Sequence, residues 1–216
     1  MRRPALSLGA AGAIIVPMRV YLIRHGDKAP GDFWNEAIGG HNDNPLSEEG
    51  RAEAEAAARW LAPRGVAGIR ASRYGRTQET ARPLARALGL DVRVDALLDE
   101  IDVGVTDRLP DGEVAALYPD FVRAREAFDA DFAYPGGESG SDVAHRVAAF
   151  LDAALAGGRD VAGFCHDGYL RVAACVVLGL PVWERRRLRA DTCGITELEW
   201  NGSAGRWDLV RFNQKA

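Results

Sequence analysis

The sequence predicts a three-layer α/β/α fold, in which helices cover both faces of a mostly parallel β-sheet. Strand-like and helix-like segments alternate along the chain, as in proteins whose parallel strands are joined by helices. Two short apolar runs, 20–23 and 161–165, are typical of buried strands, and each is followed by a polar segment that contains a histidine. Ligands bind at the carboxyl ends of the strands in open α/β sheets, so we expect two imidazoles at one sheet edge.

The first strand, 20–23, is followed by a polar segment from Asp27 to Pro45, which we expect to be an irregular, functional loop. Ser47 is expected to cap a helix that continues to Leu61. The other elements expected in this half are a strand within 66–71, a helix from Arg76 to Leu88 that ends at Gly89, and a strand at 92–94.

Residues 102–138 are rich in Asp, Gly, Pro and Tyr, and show two short helical patches around Val114 and Phe121. We interpret this segment as a lid-like insertion at the C-terminal edge of the strands rather than as a second core. Ser139 or Ser141 is expected to cap the next helix, whose apolar residues repeat on one face. The second histidine strand, a helix at 169–178, and a terminal hairpin of 195–200 with 207–212 complete the chain.

Size and composition indicate a single domain over 18–216 that needs no disulfide or metal for its stability. The chain has 216 residues and a net charge of −4, which gives no electrostatic footprint for nucleic acid. No stretch reaches the roughly 18 apolar residues of a membrane span. The three cysteines cannot all pair and lack metal-ligand spacing, which favours a reducing, cytoplasmic compartment. We expect no nucleic-acid or membrane partner.

Residues 1–17 differ from the rest of the chain. Arg2-Arg3 and the Ala/Gly-rich run behind them imitate a signal peptide, but the apolar stretch is short and is interrupted by Pro4 and Gly9. We expect either a flexible extension or translation that begins at Met18.

The tripeptide Arg24-His25-Gly26 predicts little by itself, since its simplest interpretation is a turn with two polar side chains. The other polar motifs of the chain make a functional interpretation possible. Segment 72–81 follows a strand and opens a helix, where Arg76 would add a cation to the free N–H groups of a helix N-terminus. Arginine is suited to a two-pronged grip on phosphate oxygens. The set is completed by Asp99-Glu100, Gly-Gly-Glu-Ser at 136–139, and His166-Asp167-Gly168.

These motifs, in this order, resemble the histidine phosphatase superfamily, and the resemblance extends from Met18 to about Leu198. It implies that His25 is the nucleophile, that Arg24 and Arg76 grip the phosphoryl group, and that His166 is the second catalytic histidine. The proton-donating acid falls on Glu100, which is typical of phosphatase-type members of the branch with a Glu donor. The implied substrate-binding residues are Asn35, Gly40 and Asp167. Metals and other cofactors are not expected.

The sequence departs from the family pattern in four places. An insertion, Lys28–Gly31, follows the first motif, and the family's Trp-Asn matches Trp34-Asn35 only after this insertion is allowed. Arg73-Tyr74 replaces the usual Pro-Leu, and the usual Gly-x-Trp-x-Gly is degraded at 104–107, so we expect a different pocket rim. Finally, Asp167 stands where Gly is commoner. In the acid-phosphatase branch an Asp at this position is the proton donor, so Glu100 and Asp167 are both candidates.

Phosphate-ester hydrolysis suits these residue types. A neutral imidazole is not repelled by a phosphomonoester dianion, and one nitrogen of His25 can attack if the other donates to a fixed acceptor. Arg24, Arg76 and a protonated His166 would stabilise the equatorial oxygens without a metal. A raised pKa would let Glu100 donate a proton to the leaving group near neutral pH.

The function expected from the sequence is metal-independent hydrolysis of a small soluble phosphate ester through a phosphohistidine. The alternatives are a phosphoglycerate mutase-type phosphotransferase and a catalytically weak member that binds a phosphorylated ligand. The Gly-Gly-Glu-Ser form at 136–139 is more similar to the phosphatases. We expect His41 and His145 to lie outside the chemistry, although the long loop could bring His41 to the substrate. The basic run 185–189 is expected on a solvated face or at a helix end.

Overall fold

A six-stranded sheet with the order β5-β4-β6-β1-β7-β8 forms the centre of the computed structural model, which describes residues 18–216. The expectations for residues 1–17 lie outside the described residues. The strands are β1 (Arg19–Arg24), β4 (Gly68–Ala71), β5 (Val92–Val94), β6 (Val161–Cys165), β7 (Ile195–Asn201) and β8 (Arg206–Gln214). β5, β4, β6 and β1 are mutually parallel, whereas β7 is antiparallel to β1 and to β8.

Helices cover both faces of this sheet. α1 (Glu48–Leu61) and α2 (Gly75–Leu88) pack on one face, and α5 (Gly140–Gly157) and α6 (Asp167–Leu178) pack on the other. Successive side chains of a strand point to opposite faces. In β1, Val20 and Leu22 accordingly contact the core under α5 and α6, while Tyr21 and Ile23 contact the core under α1 and α2. The predicted three-layer α/β/α fold is confirmed.

The segment between β1 and α1 is more regular than predicted. Two-residue strands, β2 (Trp34–Asn35) and β3 (His41–Asn42), pair antiparallel around a single 3-10 turn. The Asn35 side chain caps this turn by accepting a hydrogen bond from the Ala37 N–H. Gly39 then takes a left-handed conformation with φ of 85°, which reverses the chain. The prediction of a wholly irregular loop is wrong for this part.

The insertion 102–138 contains the two predicted short helices, α3 (Asp111–Leu117) and α4 (Pro119–Ala127). Val114, Phe121 and Phe132 form a small apolar cluster of their own. The expectation that the insertion lacks a second core is wrong to this extent, because aromatic side chains beyond α4 fold back on its helices.

The basic run 185–189 lies at and beyond the end of a 3-10 helix (Val182–Arg187), and Arg186, Arg187 and Arg189 are exposed, as expected; Arg185 is the exception. It is buried, with Nη1 3.6 Å from the Asp131 carboxylate and its guanidinium over the rings of Phe128 and Phe132. This arginine therefore ties the insertion to the segment after α6.

The remaining elements agree with the predictions to within a few residues. Ser139, not Ser141, caps α5, and Asp142 completes a reciprocal capping box. The cysteines Cys165, Cys175 and Cys193 are buried free thiols. Among the described helices, none combines the length and apolar character needed to cross a bilayer.

Candidate active site

Three neighbouring parallel strands end at the same edge of the sheet. β4, β6 and β1 are followed directly by Ser72, His166 and His25. The ring centroids of His25 and His166 lie 5.3 Å apart, with an angle of 63° between the planes. The strand register thus brings together the two imidazoles that the sequence placed at one sheet edge.

His25 is held as a neutral imidazole in one tautomer. Its Nδ1 lies 2.8 Å from the main-chain oxygen of Gly26, which can only accept, so the proton is on Nδ1 and Nε2 keeps a free lone pair. Burial lowers the pKa of His25 well below its ordinary value, and the charge of Arg76 lowers it further. Gly26 itself is required by packing, since a Cβ there would lie 2.5 Å from the main-chain oxygen of Gly50.

Arg76 is the buried cation of the site. Its Nη1 donates to the main-chain oxygen of Asn42 at 2.8 Å and lies 3.3 Å from the carboxylate of Asp43. The guanidinium also lies over the ring of Tyr74, 4.3 Å from its centroid. Arg24 approaches from the end of β1 and donates through Nη1 to the oxygen of Ala190 at 2.7 Å.

His166 is a neutral ring in this geometry, and its protonation beside a phosphoryl group stays a prediction. Arg76 Nη2 can only donate, and it lies 3.1 Å from Nδ1 of His166, so Nδ1 accepts. The ring proton is therefore on Nε2, which donates to Ser72 Oγ at 2.8 Å. Burial, followed by the charge of Arg76, lowers the pKa of His166 well below its ordinary value. Burial of the ring beside a cation is the physical reason for this lowered pKa.

Glu100 lies at the N-terminus of α6. Its carboxylate accepts hydrogen bonds from the N–H groups of Gly168 at 3.2 Å, Tyr169 at 3.1 Å and Ile101 at 2.9 Å. Burial raises the pKa of Glu100, and the amide hydrogen bonds act in the opposite direction. Gly168 makes this approach possible, because a Cβ there would lie 2.7 Å from Glu100 Oε1.

The two other candidate acids are paired elsewhere. Asp99 accepts hydrogen bonds from Arg73 Nε at 2.6 Å and from the Arg73 N–H at 2.9 Å. Asp167 pairs with Arg171 one turn along α6, at 2.7 Å. Arg73 is half-exposed and bonded outside the His25–His166 pair, so Arg76 is the arginine that the structure places in the site.

The remaining residues expected to bind substrate, Asn35 and Gly40, lie in the segment between β1 and α1. The Asn35 amide donates to Asp43 at 2.9 Å, and the main-chain oxygen of Gly40 accepts from Arg108 Nη2 at 2.6 Å. His41 lies between the insertion carboxylates of Asp102 and Asp107, at 3.5 and 3.3 Å. His145 is exposed on α5, as expected of a residue outside the chemistry.

Two open cavities, of about 520 and 500 Å³, lie between the 27–45 segment and the insertion. The first is lined by residues that include His41, Arg73, Asp102 and Arg108. The second is lined by Lys28, Trp34, Asn42, Asp107 and Arg108, among others. Among residues 18–216 no cluster of three His, Cys, Asp or Glu side chains could hold a metal ion.

Comparison with known proteins identifies the family. Residues 20–215 match the model of the histidine phosphatase superfamily, branch 1. The chain belongs to this superfamily. It is 32% identical over 191 residues to the probable phosphoglycerate mutase GpmB of Salmonella paratyphi B, which covers 86% of each chain.

Two solved structures of the superfamily show the same architecture. A mycobacterial glucosyl-3-phosphoglycerate phosphatase aligns with a TM-score of 0.76 and 30% identity, over 92% of this chain and 99% of that one. A putative α-ribazole-5′-P phosphatase from Escherichia coli aligns with a TM-score of 0.74 over 92% and 97% of the two chains. At 21% identity the second comparison supports the fold alone.

Asp43 and Arg146 are two members of the site that sequence reasoning missed. Asp43 is almost completely buried and accepts hydrogen bonds from the N–H of Gly75, at 2.8 Å, and from Asn35, besides pairing with Arg76. Residues 40–46 are similar to the family motif Gly-x-x-Asp-x-Pro-Leu, whose Asp falls on Asp43, so the sequence contained a signal for this residue. No motif in the sequence indicated a role for Arg146, which lies on α5.

Arg146 fixes the segment that carries Glu100. Its Nε and Nη2 donate to the Glu138 carboxylate, both at 2.7 Å. Its Nη1 donates to the main-chain oxygens of Leu97, at 3.0 Å, and Asp99, at 3.1 Å. Such a two-pronged ion pair is rigid, so it holds Glu100 in a defined place at the N-terminus of α6.

We predict that Asp43→Ala destabilises the fold by about 3–5 kcal/mol, because it leaves the buried charge of Arg76 without its carboxylate partner. Guanidinium unfolding measures the change. Asp120→Ala is the matched control, since the Asp120 side chain is 89% exposed. A free energy of unfolding for Asp43→Ala equal to that of the control would contradict the assigned role of this ion pair.

Proposed function

We propose that this protein is a metal-independent phosphomonoesterase that forms a phosphohistidine on His25. The observation that carries the proposal is the fixed tautomer of His25, whose Nδ1–H donates to Gly26 while its ring lies 5.3 Å from that of His166. In the first step Nε2 of His25 attacks phosphorus, the bond from phosphorus to the ester oxygen breaks, and the leaving oxygen takes a proton. In the second step water attacks phosphorus, the bond from phosphorus to Nε2 breaks, and water gives a proton to the carboxylate that protonated the leaving oxygen, so that inorganic phosphate is released and His25 is regenerated.

Arg24 and Arg76 are proposed to hold the phosphoryl oxygens. Among the described residues, Nε of each of these two arginines is buried without a hydrogen-bond partner, and an anion beside them would offset that cost. A bound dianion would also raise the pKa of His166, because an opposite charge favours the protonated ring. The protonated His166 inferred from the chemistry is therefore proposed for the substrate complex alone.

Glu100 is proposed as the proton donor, in preference to Asp167. Its raised pKa suits a group that must carry a proton before the reaction, and Arg146 with Glu138 keeps its segment in place. Asp167 is instead bonded to Arg171, at 2.7 Å, one turn along α6. We propose that Asp167 assists through its position in the first turn of α6, and that Asn35 and Gly40 shape the mouth of the site.

We predict that Glu100→Gln slows hydrolysis of alkyl phosphates about 100-fold and that of p-nitrophenyl phosphate much less, because a good leaving group needs no proton. Asp167→Asn should show no such dependence on the leaving group. Steady-state kinetics with both ester types for both variants measure the contrast. The opposite pattern would transfer the acid role to Asp167.

The pH profile gives a second readout of the same residue. Glu100 must be protonated, so activity on alkyl esters should fall as pH rises through its raised pKa, and Glu100→Gln should remove this alkaline limb. His25 must be neutral, and because its pKa is lowered, it keeps this form well into the acid range. An alkaline limb that persists in Glu100→Gln would assign it to another group.

Small soluble esters are the proposed substrate class, and we propose action in the cytoplasm, in keeping with three unpaired cysteines. A relative named glucosyl-3-phosphoglycerate phosphatase makes phosphoglycerate-type esters the first to test. A panel assayed with a chelator tests the metal-free mechanism, since activity that vanishes with the chelator would overturn it.

A second candidate function is phosphoryl transfer back to the substrate, as in a mutase. It is favoured by the probable phosphoglycerate mutase relatives. Release of inorganic phosphate from 3-phosphoglycerate, compared with its isomerisation in the presence of 2,3-bisphosphoglycerate, separates the two functions.

A further inference from the structure

The insertion Lys28–Gly31, a departure from the family pattern, is firmly attached to the protein. Lys28 pairs with Leu46 in an antiparallel bridge, and the Ala29 N–H donates to the Pro45 oxygen at 2.9 Å. The buried amide of Asn44 donates to the oxygens of Ala29 and Gly31. Lys28 is therefore held in a defined position, two residues beyond Gly26.

The Lys28 side chain extends towards the residues that hold Arg76. Its Nζ lies 3.5 Å from Oδ1 of Asn42, and the main-chain oxygen of the same Asn42 accepts from Arg76 Nη1 at 2.8 Å. Lys28 also lines the cavity of about 500 Å³ between the 27–45 segment and the insertion. The Lys28 ammonium and the Arg76 guanidinium thus contact two different oxygens of the same residue, Asn42.

Charges from several elements act on this ammonium. The Lys28 side chain is exposed, but partial desolvation lowers its pKa, and the charges of Arg76 and Arg24 lower it further. The effect is mutual, because the charge of Lys28 is one of those that lower the pKa of His25. Three cations around one imidazole repel one another, and a dianion between them would remove that repulsion.

The carboxylates of Asp107 and Glu100, whose charges act on Lys28, are hydrogen-bonded to other groups and do not form an ion pair with it. Asp107 accepts hydrogen bonds from His41 and from the Asn42 N–H, and Glu100 accepts three main-chain amides. None of the ion pairs within residues 18–216 involves Lys28. The chain has only two lysines, Lys28 and Lys215, among 27 basic residues, and Lys215 is paired with Glu53 at 2.9 Å.

We propose that Lys28 is a further catalytic residue, whose ammonium contacts a non-bridging oxygen of the phosphoryl group transferred to His25, beside the guanidinium of Arg76. This inference rests on the proposed function. Lysine suits the role because its ammonium is a compact charge on a flexible stem, which can follow the phosphoryl group as it moves from the ester to the imidazole.

The first test compares Lys28→Met with the matched control Lys215→Met. Loss of one preorganised cation should lower kcat/KM for p-nitrophenyl phosphate about 100-fold and weaken inhibition by inorganic phosphate, while the control keeps both values. Lys28→Arg should restore part of the loss. Unchanged kcat/KM and phosphate inhibition in Lys28→Met would overturn the proposal. So would a loss confined to esters with an anionic leaving group, since Lys28 would then bind the leaving group.

The second test uses the unaltered protein, so it does not depend on how a variant folds. An amine-acylating reagent is applied with and without saturating inorganic phosphate, and the acylated peptides are quantified by mass spectrometry. Phosphate should protect Lys28 and leave Lys215 unchanged. Equal acylation of Lys28 in both samples would overturn the contact.

The two tests also separate this inference from the proposed function. A wild-type protein that hydrolyses no ester and forms no phosphohistidine would contradict the phosphatase, whatever happens at Lys28. A wild-type protein that turns over normally while Lys28 is neither needed nor protected would contradict the inference alone.

Discussion

Replacement of His25 by Ala should reduce phosphatase turnover roughly 10⁴-fold or more, because the proposed mechanism forms its covalent intermediate on this side chain. The buried ring of His25 is 4% exposed and fixed by Gly26, so the alanine variant loses the nucleophile and not merely a contact. Phosphate release under saturating substrate measures the effect, and circular dichroism checks that the variant is folded.

His145→Ala is the matched control, since it removes an exposed imidazole from α5 in the same chain. It should retain wild-type turnover. If a folded His25→Ala variant also retained turnover, His25 would not be the nucleophile, and the proposed mechanism would fail at its first step.

Replacement of Arg76 by Lys should lower kcat/KM about 10²- to 10³-fold, although the charge is kept. Arg76 simultaneously holds Asn42, Asp43 and His166, and a lysine ammonium cannot reproduce this planar arrangement of donors. We expect Arg76→Lys to weaken inhibition by inorganic phosphate as well as to lower kcat, because both depend on the proposed contacts between the guanidinium and the phosphoryl oxygens.

Arg86→Lys on the same helix is the control for Arg76→Lys. The Arg86 side chain is exposed on α2 and pairs with Glu55. Its replacement should leave kcat/KM and phosphate inhibition unchanged. Comparable losses in both variants would attribute the effect to damage of α2 rather than to the phosphoryl site.

Much of the fold could be predicted because local sequence patterns mark the strands, the helix N-caps and the helix C-termini. The apolar runs of β1 and β6 are short and bounded by polar residues, as is typical of buried strands. Ser47 begins α1 as its N-cap, and Gly89 ends α2 in a left-handed conformation. The positions of His25 and His166 followed from the same strands, because neighbouring parallel strands share one carboxyl edge.

The missed features depend on contacts between residues far apart in sequence. Arg146 reaches main-chain oxygens of 97–100, about 47 residues away, and no local pattern marks such a pairing. The tautomer of His166 is set by Arg76, which lies 90 residues earlier in the chain. Arg185 is buried because it packs on Phe128 of the insertion, whereas the next two residues, Arg186 and Arg187, are exposed.

The most direct measurement of the central claim is rapid chemical quenching of the wild-type protein during turnover of a phosphate ester. Quenching in alkali preserves phosphohistidine, and peptide mapping then locates the phosphate. The proposed mechanism predicts a transient phosphate on the peptide that carries His25, formed and lost at rates that account for turnover. Full turnover with no phosphorylated peptide, or with the phosphate on His166, would contradict it.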